Sequence, residues 1–174
     1  MNGPTPGASW GADAIGMDRR AFLAAAGGLA AVALMPASVA RGAIVTRSGA
    51  AVRVAIIGAG RQGRAVATEL AKIEACSVVA MCDVDERRLT TALRRTSGAK
   101  GYASVGALLG DAGTFDAAVV ATPTQTHRAV AEAVLAAKKH CYVECPLAAS
   151  VEDCEAIAAA ARGAGVVAAA GLEG

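Results

Sequence analysis

The sequence predicts an α/β fold built as a doubly wound parallel sheet, and three observations carry that expectation. Short apolar, β-branched runs alternate with helix-periodic segments from residue 52 onward. The first run, Val52–Ile57, opens directly into Gly58-Ala59-Gly60-Arg61-Gln62-Gly63 and then into helical spacing. The second run, 77–82, closes on an acid, Asp83.

Taken in order, Val-Arg-Val-Ala-Ile-Ile at 52–57 is too continuously apolar for a strand with one wet face, and reads as one covered on both. After the glycine loop, 64–72 is helical, with Val66 and Leu70 four apart and so on one face. Residues 77–82 form the second strand, 86–95 a helix and 104–109 a short helix. Residues 115–121 form a third apolar strand that ends at Thr122-Pro123. Residues 126–137 are a helix with Val130, Ala133, Val134 and Ala137 on one face. His140–Val143 is a strand leading to Glu144-Cys145-Pro146, followed by a helix at 151–162 and a last strand at 166–169. Each strand–helix–strand crossover should be right-handed. No internal repeat is present.

A chain of 174 residues suits one domain plus a tail, with enough length for a real core. Hydrophobic residues at 55% and charged residues at 18% exclude disorder for its bulk. The 17 basic and 15 acidic residues nearly cancel, and aromatics reach only 3%, which argues against a nucleic-acid partner. Cysteines stand at 76, 82, 141, 145 and 154 without a CxxC pair, and His127 and His140 are the sole histidines. That set has no zinc spacing, so no metal is expected, and the odd count speaks against a complete disulfide framework. Small buried hydrophobes are the expected role for most of the thiols.

The first forty residues read as an address. Residues 1–17 are rich in Gly, Pro, Ala and Ser. Asp18-Arg19-Arg20-Ala21-Phe22-Leu23 follows, then an Ala/Gly/Leu stretch at 24–34, Pro36, and Ala37-Ser38-Val39-Ala40. A charged start, an apolar middle and small residues at the end make a signal peptide, expected to be cut after Ala40. The paired arginines before Phe-Leu resemble a twin-arginine (Tat) export signal, which implies passage through the Tat machinery to the periplasm. The alternative is an uncleaved N-terminal membrane anchor, since 21–40 is about long enough to span a bilayer. Residues 41–51, with Ser48-Gly49, read as a linker.

Ligands of such sheets bind beyond the carboxyl ends of the strands, where the strand order reverses. Gly58 permits a tight turn, Gly60 lets the backbone approach a pyrophosphate, and Gly63 lets helix and strand pack closely. Arg61 and Gln62 complete the loop, and the N–H groups of the helix start would face phosphates. Asp83 stands where an acid accepts hydrogen bonds from an adenosine ribose. The competing account is a plain glycine turn and a helix-capping aspartate, but the two features aligned favour a dinucleotide. A carboxylate repels a 2′-phosphate, so Asp83 favours NAD over NADP. Arg87 and Arg88 either offset that repulsion or lie on a solvated helix face.

Together, Val-Ala-Ile-Ile-Gly-Ala-Gly-Arg-Gln-Gly-Arg at 54–64, Cys-Asp-Val-Asp at 82–85, Ala-Thr-Pro-Thr-Gln-Thr-His at 121–127 and Glu-Cys-Pro-Leu-Ala at 144–148 resemble the glucose–fructose oxidoreductase / inositol dehydrogenase (Gfo/Idh/MocA) family. The resemblance implies a Rossmann domain over 52–170 that binds NAD(P), and hydride transfer to or from a sugar, cyclitol or related polyol. It places Thr122, Pro123 and His127 along the ribose and nicotinamide side; His127 is otherwise a helix-start residue with no ligand. Glu144 and Pro146 match the family's Glu-Lys-Pro motif, whose lysine contacts the substrate and nicotinamide region. Cys145 holds that lysine's position and so becomes the candidate catalytic residue, though a thiol is shorter and carries no positive charge; otherwise it packs beside a turn proline. Family members continue into a second α+β domain that completes the substrate pocket and forms the oligomer contact. Residues 171–174 fall where that domain would begin. Two functions stay open: the cofactor half of an oxidoreductase, or a non-catalytic dinucleotide-binding module.

Overall fold

A computed structural model describes residues 51–171. The expected signal peptide at 1–40, the expected linker up to residue 50 and residues 172–174 lie outside the described residues. Six strands form one parallel sheet: β1 (Val52–Ile57), β2 (Cys76–Cys82), β3 (Lys100–Tyr102), β4 (Ala117–Val120), β5 (His140–Val143) and β6 (Ala168–Ala170). Their spatial order is β3-β2-β1-β4-β5-β6. The chain therefore winds outward one way from β1 and then the other way from β4, which puts the reversal between β1 and β4. The connecting helices are α1 (Arg61–Leu70), α2 (Glu86–Leu93), α3 (Val105–Gly110), α4 (His127–Ala136) and α5 (Val151–Ala164).

Alternation along β1 explains its apolar run. Ala55 and Ile57 enter one core with Phe115, Leu108, Val134, Leu135 and Ile157. Val54 and Ile56 enter a second, on the opposite face, with Ala67, Met81, Ala92 and Val119. Helix starts are fixed locally by side-chain acceptors. Asp85 accepts from Arg87 N and Arg88 N, Ser104 from Ala107 N and Ser150 from Asp153 N. Gly165, at φ 68°, ends α5 in the left-handed conformation.

Two differences from the expected elements have physical causes. Strand β3 was not expected, because Lys-Gly-Tyr has neither length nor period. It exists through backbone pairing of Lys100, Gly101 and Tyr102 with Ala80, Met81 and Cys82. Helix α1 begins at Arg61 rather than 64, so Gly63 lies within its first turn. A glycine there is tolerated because the first-turn N–H groups have no intrahelical partner to lose.

The sheet's two faces are not equally covered. On the face of α1, β4 to β6 carry no helix among the described residues. A groove of about 600 Å³ runs there between Val119, Tyr142 and Ala169 on the sheet and Val66 and Leu70 on α1, with Ile73 just beyond its end.

At the amino end of the central strands, Arg53 clamps β1 to β4. Its Nε donates to Asp116 Oδ2 at 3.1 Å and its Nη2 to Oδ1 at 2.7 Å, while its backbone N also donates to Oδ2 at 3.0 Å. The Arg53 hydrogen bonds hold the Asp116 carboxyl down at about 2. A carboxyl with a depressed folded-state pKa adds stability above its unfolded value of about 3.9 and loses it as the pH falls towards 2. Both side chains are nearly half exposed, so the effect is modest. Urea unfolding at pH 6 and pH 2.5 checks this: the stability lost between the two should be smaller in Asp116→Asn than in the parent. Equal losses would remove the clamp from acid unfolding.

Candidate functional site

The carboxyl ends of β1, β2 and β4 meet at a cleft of about 190 Å³ on the reversal point. Gly58 and Gly60 form one side, Asp83, Val84 and Arg88 the second, and Val105, Thr122 and Pro123 the third.

The three loop glycines serve different ends. Gly58 has φ +101°, and a Cβ there would strike the Ala121 carbonyl oxygen and lie 2.9 Å from Thr122 N. A Cβ on Gly63 would strike the Gly58 carbonyl oxygen and lie 3.2 Å from Ile56 Cγ2. Both glycines are required by the protein's own packing. A Cβ on Gly60 would meet nothing within 4 Å. Its backbone is extended, with φ −66° and ψ −166°, a conformation open to any residue. The space beside Gly60 is therefore left clear of protein at the start of α1. No side chain caps that start, and the positive dipole end of a helix favours an anion there. Arg64 fixes the loop from behind, Nη1 donating to Ala59 O at 2.7 Å.

Asp83 does more than the sequence indicated. Its Oδ2 accepts from Ala59 N at 2.7 Å and its Oδ1 from Asp85 N at 2.8 Å. Its own N donates to Tyr102 O at 3.1 Å. The carboxylate thus ties the glycine loop to the end of β2, and each oxygen keeps a further lone-pair site for a ligand hydroxyl. Neither Ala59 as a partner nor Val84 and Val105 as cleft walls were read from the sequence.

At the end of β4, the Thr126 hydroxyl lies 2.8 Å from Thr122 Oγ1 and 2.7 Å from Pro123 O. His127 opens α4 and is 1% exposed. Its Nε2 lies 2.8 Å from Thr122 O and its Nδ1 3.0 Å from Pro146 O. Both ring nitrogens of His127 face main-chain carbonyls. It braces the end of β4 against the turn after β5, where the Cys145–Pro146 peptide is cis.

The remaining candidates separate. Glu144 is 6% exposed, its N donating to Val120 O at 3.0 Å. With Gln62 it lines the α1-side groove rather than the cleft. Arg61 is exposed at the first position of α1, and Cys145 is an exposed free thiol. Two other thiols are inert by contrast: burial pushes Cys82 up to about 11, with the Asp83 charge adding to it, and Cys141 up to about 12.

Comparison with known proteins agrees with this layout. A family profile described as "Oxidoreductase family, NAD-binding Rossmann fold" (Gfo/Idh/MocA) matches residues 52–172. The chain is 38% identical over 104 residues to inositol 2-dehydrogenase of Acidothermus cellulolyticus, covering 59% of this chain and 30% of that protein. It is 33% identical over 112 residues to a glycosyl hydrolase family 109 protein of Shewanella woodyi, covering 59% of this chain and 24% of the relative. The crystal structure of the WlbA dehydrogenase of Chromobacterium violaceum with NADH and UDP-GlcNAcA superposes with a TM-score of 0.68 at 27% identity. That match covers 71% of this chain and 36% of the dehydrogenase. The chain thus spans about a third or less of the length of the proteins it matches.

Proposed function

Because the chain belongs to the Gfo/Idh/MocA oxidoreductase family with its NAD-binding Rossmann fold, we propose that residues 52–170 bind NAD(H) across the strand ends. In our reading they serve hydride transfer to or from a sugar, cyclitol or related polyol. The observation that carries the cofactor site is the clear space at Gly60, between an uncapped helix start and the Asp83 carboxylate. The two loop glycines beside it are required by packing, whereas Gly60 leaves open space at the start of α1, where the backbone can come close to a pyrophosphate.

The residues fit a dinucleotide in a definite direction. The α1 amides and Gly60 take the pyrophosphate. Asp83 takes the adenosine ribose through its remaining lone pairs. Thr122 and Pro123 wall the path toward the nicotinamide, and His127 holds their backbone in place. When bound, the nicotinamide supplies a carbon that accepts or delivers hydride. Cys145 is an exposed free thiol at the position of the family's lysine, which in this reading lies at the nicotinamide end. A thiol cannot hold a sugar hydroxyl as an ammonium does, so the chain's own contribution is cofactor binding and orientation. Residues 1–40, with Arg19-Arg20 ahead of an apolar run, serve as a twin-arginine export signal in this proposal. N-terminal sequencing of the mature protein tests that part.

Calorimetric titration of the chain with NAD(H) tests the cofactor reading, and alkylation tests its direction. Iodoacetamide at pH 8 should modify Cys145 while leaving Cys82 and Cys141 unmodified, and saturating NADH should slow the Cys145 reaction at least threefold. Absence of binding would remove the function proposed. Binding without protection of Cys145 would place the nicotinamide elsewhere. Turnover of inositols or aldoses by this chain, followed at the absorbance of NADH, would show that it carries more of the chemistry than cofactor binding.

A further inference from the structure

The two histidines of the chain make opposite demands on their protons. His140 accepts at Nδ1 from Val167 N, 3.1 Å away, so that nitrogen carries a lone pair and no proton. His127 has acceptors on both sides: Thr122 O lies 2.8 Å from its Nε2 and Pro146 O 3.0 Å from its Nδ1. A carbonyl oxygen only accepts, and a neutral imidazole has one N–H and one bare nitrogen. In either neutral tautomer, one contact therefore sets a nitrogen lone pair against an oxygen lone pair at hydrogen-bond distance. Only the imidazolium donates to both carbonyls.

The surroundings act in both directions. The ring is 1% exposed, and burial disfavours its charge. In the cation, however, both hydrogen bonds are charge-assisted and so stronger than neutral ones, and the neutral ring forfeits one of them. Arg128, next to it on α4, turns away to Glu132 at 3.1 Å and to Asp153 of α5 at 2.8 Å. The other charged groups of α5, Glu152, Glu155 and Arg162, are exposed. Strand β4 carries no charge, and Asp116 and His140 stand at the amino end of the sheet, opposite to His127. On the side of the turn after β5 stand the buried Glu144 and the exposed thiol of Cys145.

Resting on the cofactor reading above, we infer that His127 is a positioning residue that works as an imidazolium. With a proton on each ring nitrogen it ties the end of β4, beside the nicotinamide path, to the turn that carries Cys145. Histidine exchanges its proton in the range around neutral pH. As the pH rises the ring gives up one proton and one of the two ties, and the nicotinamide half of the cleft holds NAD(H) less well.

The test reads the ring directly and then its effect. The full chain is labelled with ¹⁵N-histidine, and long-range proton–nitrogen NMR spectra are recorded from pH 6 to pH 9. With two histidines in the sequence, His140→Gln leaves the His127 signals alone. At pH 6 both His127 nitrogens should be protonated, and one should lose its proton as the pH rises. NADH titrated over the same range should bind the parent and His140→Gln at least fivefold more weakly at pH 9 than at pH 6. His127→Gln, whose amide nitrogen donates toward one of the two carbonyls, should bind at pH 6 about as the parent does at pH 9, and vary less than twofold with pH. Circular dichroism checks that the variants fold, and the spectra of the ring need only His127 in place. A bare His127 nitrogen at pH 6, or a ring that keeps the same protons throughout, overturns the inference. So does an NADH affinity that changes with pH alike in the parent and in His127→Gln; both results leave NAD(H) binding standing. Failure of the parent to bind NADH at any pH overturns the cofactor reading and the positioning role with it.

Discussion

Gly63→Ala is expected to destabilise the domain by about 3 kcal/mol, because its new methyl group would strike the Gly58 carbonyl oxygen within the packed loop. Neither neighbour can retreat: one is backbone, and the other, Ile56, is fully buried. For a domain of this size the loss corresponds to a melting temperature lower by about 10 °C. Gly60→Ala is expected to do the opposite. Its Cβ meets no protein atom and its backbone suits alanine. Stability should change by about 1 kcal/mol or less, the amount associated with alanine at a helix N-cap. NADH affinity should nevertheless fall at least tenfold, since the methyl group occupies the space assigned to the pyrophosphate. Thermal melts and NADH titrations of both variants measure the four quantities. A Gly60→Ala protein that binds NADH like the parent would show that the clear space is not where the cofactor comes closest.

That contrast also marks what was legible in the sequence. The glycine spacing located the loop, and strands covered on both faces announced themselves as continuous apolar runs, as Val54 to Ile57 show. Strand β3 did not, because Lys100-Gly101-Tyr102 is held by its neighbour's backbone and not by any pattern of its own. The start of α1 is masked in the sequence because Gly63 in its first turn has poor helix propensity, while the geometry there needs few hydrogen bonds. The brace made by His127 joins residues 122 and 146, a contact between strand ends that only the folded sheet brings together. Arg88 could have been separated from Arg87 by helix phase. Arg87 shares spacings of three, four and seven with Thr90, Thr91 and Arg94, a polar face, whereas Ala92, four residues after Arg88, is buried.

Asp83→Ala is expected to cost both binding and stability, and the two losses can be told apart. The ribose contact is a hydrogen bond to a charged acceptor, so its removal should weaken NADH by about 1.5–3 kcal/mol, roughly ten- to a hundredfold. The same change strands Ala59 N, whose residue is fully buried, and removes the acceptor of Asp85 N. A buried donor left without a partner costs about 1–3 kcal/mol, so the melting temperature should fall as well. Nicotinamide mononucleotide lacks the adenosine ribose but keeps a phosphate, so its affinity reports on the loop without the Asp83 ribose contact. If Asp83 acted only on the ribose, Asp83→Ala would leave mononucleotide affinity as it was. If it also holds Ala59 and thereby the phosphate cradle, that affinity should fall several-fold, and less than NADH affinity does. Asp83→Asn refines the comparison: one amide oxygen can accept from only one of the two N–H groups, and its NH₂ must face the other, so it should be no more stable than Asp83→Ala by much. Unchanged NADH affinity in Asp83→Ala would sink the assignment of this carboxylate to the cofactor and leave it a fastener of the loop.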